Sequence, residues 1–120
     1  MRSLEEIFSA IESVPDYYGH KVTSVHYKNG WGDTPLHIVS YWGDCEAIKI
    51  LIEAGADINA QGETGFTPLH CATEQNRIEA VALLLSLGAV IVQDSNSHTP
   101  IELADLLERK EIIKILSGGI

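Results

Sequence analysis

A four-residue sequence, Thr-Pro-Leu-His, occurs at residues 34–37 and again at residues 67–70, which places the two copies 33 residues apart. A third, less complete copy begins with Thr99-Pro100-Ile101, 32 residues after the second. Self-similarity at a fixed period of about 20–50 residues is typical of repeat proteins, in which one small unit stacks on the next. The spacing therefore predicts three similar units that share one continuous core.

Each unit is predicted to contain two helices. A threonine followed by a proline is a favourable helix start, because threonine caps the N-terminus and proline suits the first helical turn. In the first unit we expect a helix over Pro35–Trp42 that Gly43 ends, and a second helix over Cys45–Ala54. Gly55 and Gly88 follow the second helices and are expected to adopt positive φ. The apolar face of one such pair cannot be covered without a neighbour, so the pairs must stack.

The segment from Gly32 to Ala60 resembles the ankyrin-repeat family along almost its whole length. The family pattern runs Gly-x-Thr-Pro-Leu-His-x-Ala and ends in Gly-Ala-Asp-x-Asn-Ala, and residues 55–60 match this ending. The resemblance covers residues 28–117, with departures at Val39, Asn76 and Glu102, where the family has alanine, glycine and histidine. It implies an all-α fold, a solenoid of stacked helix-turn-helix units with β-turn fingers and an N-terminal capping helix.

The domain organisation predicted on this basis is a single ankyrin-repeat domain over residues 1–120. Residues 1–14 form the capping helix, which Ser3 and Glu6 open with a capping box. Residues 15–29 form an irregular or extended segment, with a short strand or finger within Asp16–Tyr27. Repeat 1 occupies residues 30–61, repeat 2 residues 62–93, and a C-terminal capping repeat residues 94–120.

The charge of the sequence restricts the class of partner. Seventeen acidic and eight basic residues give a formal net charge of −9. Such a chain repels nucleic-acid phosphates and anionic membrane surfaces, and attracts a basic protein at long range. The alternative reading is that the acidity serves only solubility. The sequence lacks an apolar run of about eighteen residues and a signal-peptide core, so we expect a cytoplasmic protein, monomeric on its own.

Residue types that carry chemistry are present, but their spacing does not indicate an enzyme. His37 and His70 occupy the same position in successive repeats and are expected to bond backbone and threonine groups rather than a metal ion. Cys45 and Cys71 are read as reduced core thiols; the alternative is one disulfide bond. Phosphate loops and nucleophile elbows are missing from the sequence. We therefore predict no catalytic residues, no cofactor, no metal and no small-molecule substrate.

The family resemblance also implies where a partner would bind. In ankyrin repeats the turn tips and the exposed ends of the first helices form one concave surface. Both tryptophans fall at such positions, and Trp and Tyr are enriched at interface hot spots. The alternative is that Trp42 packs on the N-terminal segment and Trp31 on Tyr27. The predicted partner-binding residues are Trp31, Asp33, Tyr41, Trp42, Glu63, Phe66, Glu74, Gln75 and His98.

These expectations lead to two functional hypotheses. The first is a non-enzymatic module that binds a basic partner protein and acts as an inhibitor, or as an immunity protein that neutralises a toxin. Small acidic ankyrin proteins of bacteria include such immunity proteins, so the resemblance favours a bacterial source. The second is an adaptor or host-targeted effector that bridges two proteins and therefore needs a second contact surface.

Overall fold

The computed structural model describes residues 1–118, and the secondary structure of this part is helical, without a β-strand. Gly119 and Ile120, which the predicted capping repeat includes, lie outside the described residues. The α-helices are α1 (Leu4–Glu12), α2 (Pro35–Trp42), α3 (Cys45–Glu53), α4 (Pro68–Glu74), α5 (Ile78–Ser86), α6 (Pro100–Leu106) and α7 (Lys110–Leu116).

The last six of these helices form three pairs that stack in two layers. In the inner layer α2 packs on α4 and α4 on α6, while in the outer layer α3 packs on α5 and α5 on α7. A single apolar core runs through all the pairs, and Leu36, Leu69 and Ala104 occupy it on the inner helices with no exposed surface. The predicted all-α ankyrin-repeat solenoid is confirmed.

Each inner helix begins as the threonine-proline sequence predicts. Thr34, Thr67 and Thr99 have extended backbones, and a proline follows each of them at the first helical position. The hydroxyl of Thr67 accepts a hydrogen bond from the backbone N–H of His70, at 3.3 Å. Gly43 ends α2 in the left-handed conformation with φ of 71°. The helix boundaries therefore follow from local capping chemistry.

The two later repeats place other residues at the left-handed position of Gly43. Asn76 has φ of 57° and Glu108 has φ of 56°. This region costs an L-residue roughly 1–2 kcal/mol, and asparagine tolerates it better than glutamate does. Glu108 therefore carries backbone strain that glycine would not.

We expect Glu108→Gly to raise the free energy of unfolding by about 0.5 kcal/mol, because relief of strain exceeds the extra freedom of glycine in the unfolded chain. Urea unfolding followed by circular dichroism measures the change. The control is Glu111→Gly, a similar loss of a glutamate inside α7, which should lower stability by about 1 kcal/mol. Destabilisation by both variants would contradict the prediction.

The N-terminal helix covers the first repeat. Ser3 and Glu6 form the predicted capping box at its start. Ile7 and Ile11 are buried, and α1 packs against α2 and α3. Arg2 also binds Asp44 at 2.6 Å. The helix thus closes the apolar end of repeat 1 and ties itself to the start of α3.

Of the two readings of residues 16–27, a short strand or a finger, the strand is wrong. Pro15–Tyr17 forms a 3-10 turn, and the residues that follow have no regular structure. Tyr17, Val22 and Val25 are buried instead, and the Tyr17 hydroxyl donates a hydrogen bond to the Asp33 carbonyl. Buried side chains therefore hold this segment in place. Residues 1–118 contain no β-strand with which its backbone could form a sheet.

The two histidines of the repeat motif bond the threonine turns, as predicted, and also connect successive repeats. The backbone N–H of Thr67 donates to Nδ1 of His70 at 3.1 Å, so the ring proton lies on Nε2. Nε2 then donates to the carbonyl of His98 in the next repeat, at 2.9 Å. His37 repeats this arrangement with the carbonyl of Phe66, at 2.8 Å. Each neutral imidazole therefore joins the turn of its own repeat to the next turn.

We expect acid to weaken the fold through these histidines. Burial lowers the pKa of both imidazoles below the ordinary value of 6.5. Below that pH the unfolded chain takes up protons that the folded protein does not, so stability should fall as pH drops from about 7 to about 5. Thermal unfolding across this range measures the effect. A midpoint that does not change with pH would contradict the prediction.

Candidate partner-binding groove

Side chains and backbone amides fix the shape of the turns between repeats. The side-chain oxygen of Asn29 accepts from the backbone N–H groups of Trp31 and Asp33, both at 2.9 Å. Asp94 accepts in the same way from Asn96 at 2.8 Å and from His98 at 2.9 Å. The first and third turns are therefore closed by an asparagine or aspartate four residues before the end, whereas Gly62 stands at this position in the second turn.

Neighbouring turn tips are also bonded to each other. The N–H of Glu63 donates to the carbonyl of Trp31 at 2.8 Å, and the N–H of Ser95 donates to the carbonyl of Thr64 at 2.9 Å. The tips of all three repeats thus lie side by side along one edge of the solenoid.

A surface groove of about 330 Å³ lies beside the first two tips. We call it the turn groove and define it by its lining residues, Asp16, Trp31, Asp33, Tyr41 and Thr64. Trp31 is 59% exposed, whereas Tyr41 and Asp33 are partly buried. The structure therefore brings three of the predicted partner-binding residues together in one concavity.

The turn groove is acidic and its carboxylates have no cationic partner among the described residues. The salt bridges of residues 1–118 join Arg2 to Asp44 and Glu46, Lys21 to Glu12, and Lys114 to Glu111. None of them includes Asp16 or Asp33. Burial raises the pKa of Asp33, and the negative charge of the nearby Asp16 raises it further. A cation entering the groove would relieve this repulsion.

The phenol of Tyr41 lies next to Cys71 of the second repeat. Burial raises the pKa of its hydroxyl, and the neighbouring Cys71 raises it further. Cys71 is itself buried and free, as Cys45 is free, so the prediction of reduced core thiols agrees with the structure. Tyr41 is therefore a neutral hydrogen-bonding group that lines the turn groove.

The remaining predicted residues lie around or away from the turn groove. Glu63 is exposed next to Thr64 at the second tip, while Gln75 is exposed just after α4. Glu74 is partly buried, and its charge acts on Tyr41. Phe66 stacks on His70 with ring centroids 5.0 Å apart, so it supports the fold as well.

Two predicted residues line other concavities. Trp42 lies beside Gly43 and residues 77–80 at the start of α5, and His98 lies in a pocket formed by α6 and α7. Asp16 was absent from the prediction, although it lines the turn groove. The only signal for it was its acidic side chain directly after Pro15.

Residues 1–118 contain no cluster of three or more histidine, cysteine or acidic side chains placed to hold a metal ion. None of the helices described combines the length and the apolar character needed to cross a membrane.

Comparison with known proteins agrees with the repeat architecture. A family model described as "Ankyrin repeats (3 copies)" matches residues 10–95 and 36–119. A Rickettsia bellii protein whose name assigns it to the ankyrin repeats is 48% identical over 48 residues, which cover 38% of this chain and 29% of that protein. A fowlpox virus protein with a similar name is 46% identical over 39 residues, covering 32% of this chain and 8% of its own length. The chain thus spans less than a third of either relative. With the fold, these matches show that the chain belongs to the ankyrin-repeat family, whose repeats are protein–protein interaction modules.

Proposed function

We propose that the protein binds a basic partner protein through the turn groove, with a lysine or arginine side chain of the partner inserted beside Trp31. The observation that carries this proposal is the convergence of an exposed indole, a phenol and two unpaired carboxylates in one concavity. These groups match a cation in two ways. The indole face attracts a cation electrostatically, and Asp16 and Asp33 supply charge-assisted hydrogen bonds.

The overall charge supports the same class of partner. A net charge of −9 creates a field that speeds the approach of a basic protein, and the groove then fixes its register. A protein bound to the basic surface of its partner would block the interactions that the partner makes through that surface. An inhibitor role, including neutralisation of a basic toxin as an immunity protein, is the form of the proposal that this chemistry favours.

The proposal is tested by isolating the partner and measuring its affinity for groove variants. The tethered protein is used to capture partners from cells of the source organism, and mass spectrometry identifies them. Calorimetry then compares the wild type with Trp31→Ala, which should weaken binding by about 2 kcal/mol, or roughly thirtyfold. Raised salt should slow association.

The matched control is Tyr18→Ala, because Tyr18 is 89% exposed and does not line the turn groove. It should bind with wild-type affinity. The Trp42→Ala variant shows whether the contact surface extends as far as the start of α5. A partner that is acidic, or one that binds Trp31→Ala as tightly as the wild type, would overturn the proposal.

A further inference from the structure

A second concavity lies on the face of the last repeat that points away from the rest of the solenoid. It has a volume of about 420 Å³. We call this surface the end face and define it by its lining residues, His98, Ile101, Glu102, Asp105, Leu106 and Ile113. Three of the six are apolar, and Leu106 is 62% exposed. The turn groove shares none of these residues.

The end face continues the interface that joins the repeats. The motif alignment places Ile101 and Ile113 at the positions of Leu69 and Val81 in repeat 2. Leu69 and Val81 have no exposed surface, because repeat 3 packs against repeat 2. The apolar residues that would be covered by a further element are only partly buried here. The end face is therefore a stacking surface that the described residues leave open.

Two substitutions make this surface unlike the interfaces between the repeats. His37 and His70 each donate a hydrogen bond to a turn carbonyl of the next repeat, whereas Glu102 stands at their position. Its carboxylate accepts from the N–H of Thr99 at 3.1 Å and from the Thr99 hydroxyl at 3.0 Å. Glu102 keeps the helix cap but offers no proton to a turn carbonyl. The end face thus lacks the bond that sets the register of another ankyrin repeat.

The second substitution adds a negative charge to the surface. Asp105 occupies the position of Thr73 in repeat 2, a residue with no exposed surface. Covering a carboxylate is unfavourable unless a cation pairs with it. The end face thus combines Ile101 and Leu106 of α6 and Ile113 of α7 with two acidic residues of α6. Its complement is an apolar surface edged by positive charge.

We propose that the end face docks a basic amphipathic helix of a partner protein. Its apolar side chains would lie against Ile101, Leu106 and Ile113, and a lysine or arginine one turn away would pair with Asp105 or Glu102. A helix supplies this pattern because residues three and four apart share one face. The proposal is independent of the turn groove and gives the protein a second contact surface.

The test uses isotope-labelled protein and a synthetic helix of about 14 residues, four turns, made of leucine on one face and lysine on the other. Amide chemical shifts should change in α6 and α7, with little change at Trp31. Two control peptides are a glutamate-for-lysine version and a scrambled version with the same composition. Both should bind at least about tenfold more weakly, because each lacks either the charge or the apolar face.

Protein variants distinguish binding at the end face from a general attraction of the basic peptide to an acidic protein. Asp105→Lys and Leu106→Lys change exposed residues, so both should fold, and each should weaken peptide binding at least about tenfold. Tyr18→Ala, an exposed tyrosine that lines neither the end face nor the turn groove, should leave it unchanged. Shifts that map to the turn groove, equal binding of the scrambled peptide, or wild-type affinity of Asp105→Lys would each overturn the proposal. A wild-type dimer that Leu106→Lys dissociates, seen by sedimentation, would also overturn it by assigning the face to a second copy.

Discussion

Replacement of Gly65 by alanine should lower the free energy of unfolding by about 3 kcal/mol, because a methyl group there would collide with the next turn. Gly65 has φ of +78°, and an added Cβ would lie 2.5 Å from the backbone nitrogen of Ser95 and 2.9 Å from the carbonyl carbon of Asp94. Neither backbone atom can rotate away as a side chain can. The turn of repeat 3 would have to separate from the turn of repeat 2.

A matched control isolates the steric part of this effect. Gly19 has nearly the same backbone conformation, with φ of +81°, but an added Cβ there would have no neighbour within 4 Å. Gly19→Ala should therefore lower the free energy of unfolding by only about 1 kcal/mol, which is the cost of the left-handed conformation for alanine. Urea unfolding of both variants gives the difference. Equal losses of stability would mean that the two turns are not held at the distance the structure shows.

The second large effect is expected for His70→Leu, which should lower the free energy of unfolding by about 3 kcal/mol. Leucine fills a similar volume but leaves the N–H of Thr67 and the carbonyl of His98 without their partner. A buried polar group that loses its hydrogen bond costs roughly 1–3 kcal/mol. The variant also loses the stacking of Phe66 on the imidazole.

The control for this variant is His26→Leu, because His26 is exposed and lies outside the repeat motif. Its stability should stay within about 0.5 kcal/mol of the wild type. Chemical denaturation at pH 7 compares the three proteins. The pH dependence of stability should also become shallower in His70→Leu. A loss below about 1 kcal/mol would show that water replaces the imidazole without difficulty.

The repeats were predictable from sequence because local chemistry determines them. Threonine-proline caps, the left-handed Gly43 and the apolar spacing of the helices each act within a few residues. The path of residues 15–29 was not predictable in this way. Tyr17, Val22 and Val25 are buried by contact with distant parts of the chain, and their spacing follows neither a helical nor a strand period.

The same distinction applies to the candidate site. Trp31, Asp33 and Tyr41 were assigned to the candidate site because the family pattern fixes their positions relative to the turn. Asp16 was missed because the segment that brings it to the turn groove is positioned by the buried Tyr17. Trp42 directly follows Tyr41 on α2, and successive helical residues point about 100° apart, so the two side chains face different pockets.

The hydrogen bonds between successive turn tips have a consequence for the kinetics of recognition. The backbone carbonyl of Trp31 is bonded to Glu63, and that of Thr64 to Ser95, so the turn groove has a fixed shape without a partner. Little conformational entropy remains to be lost in docking, so association needs no slow rearrangement of the loops. Affinity differences among groove variants should therefore appear in the dissociation rate constant rather than in the association rate constant.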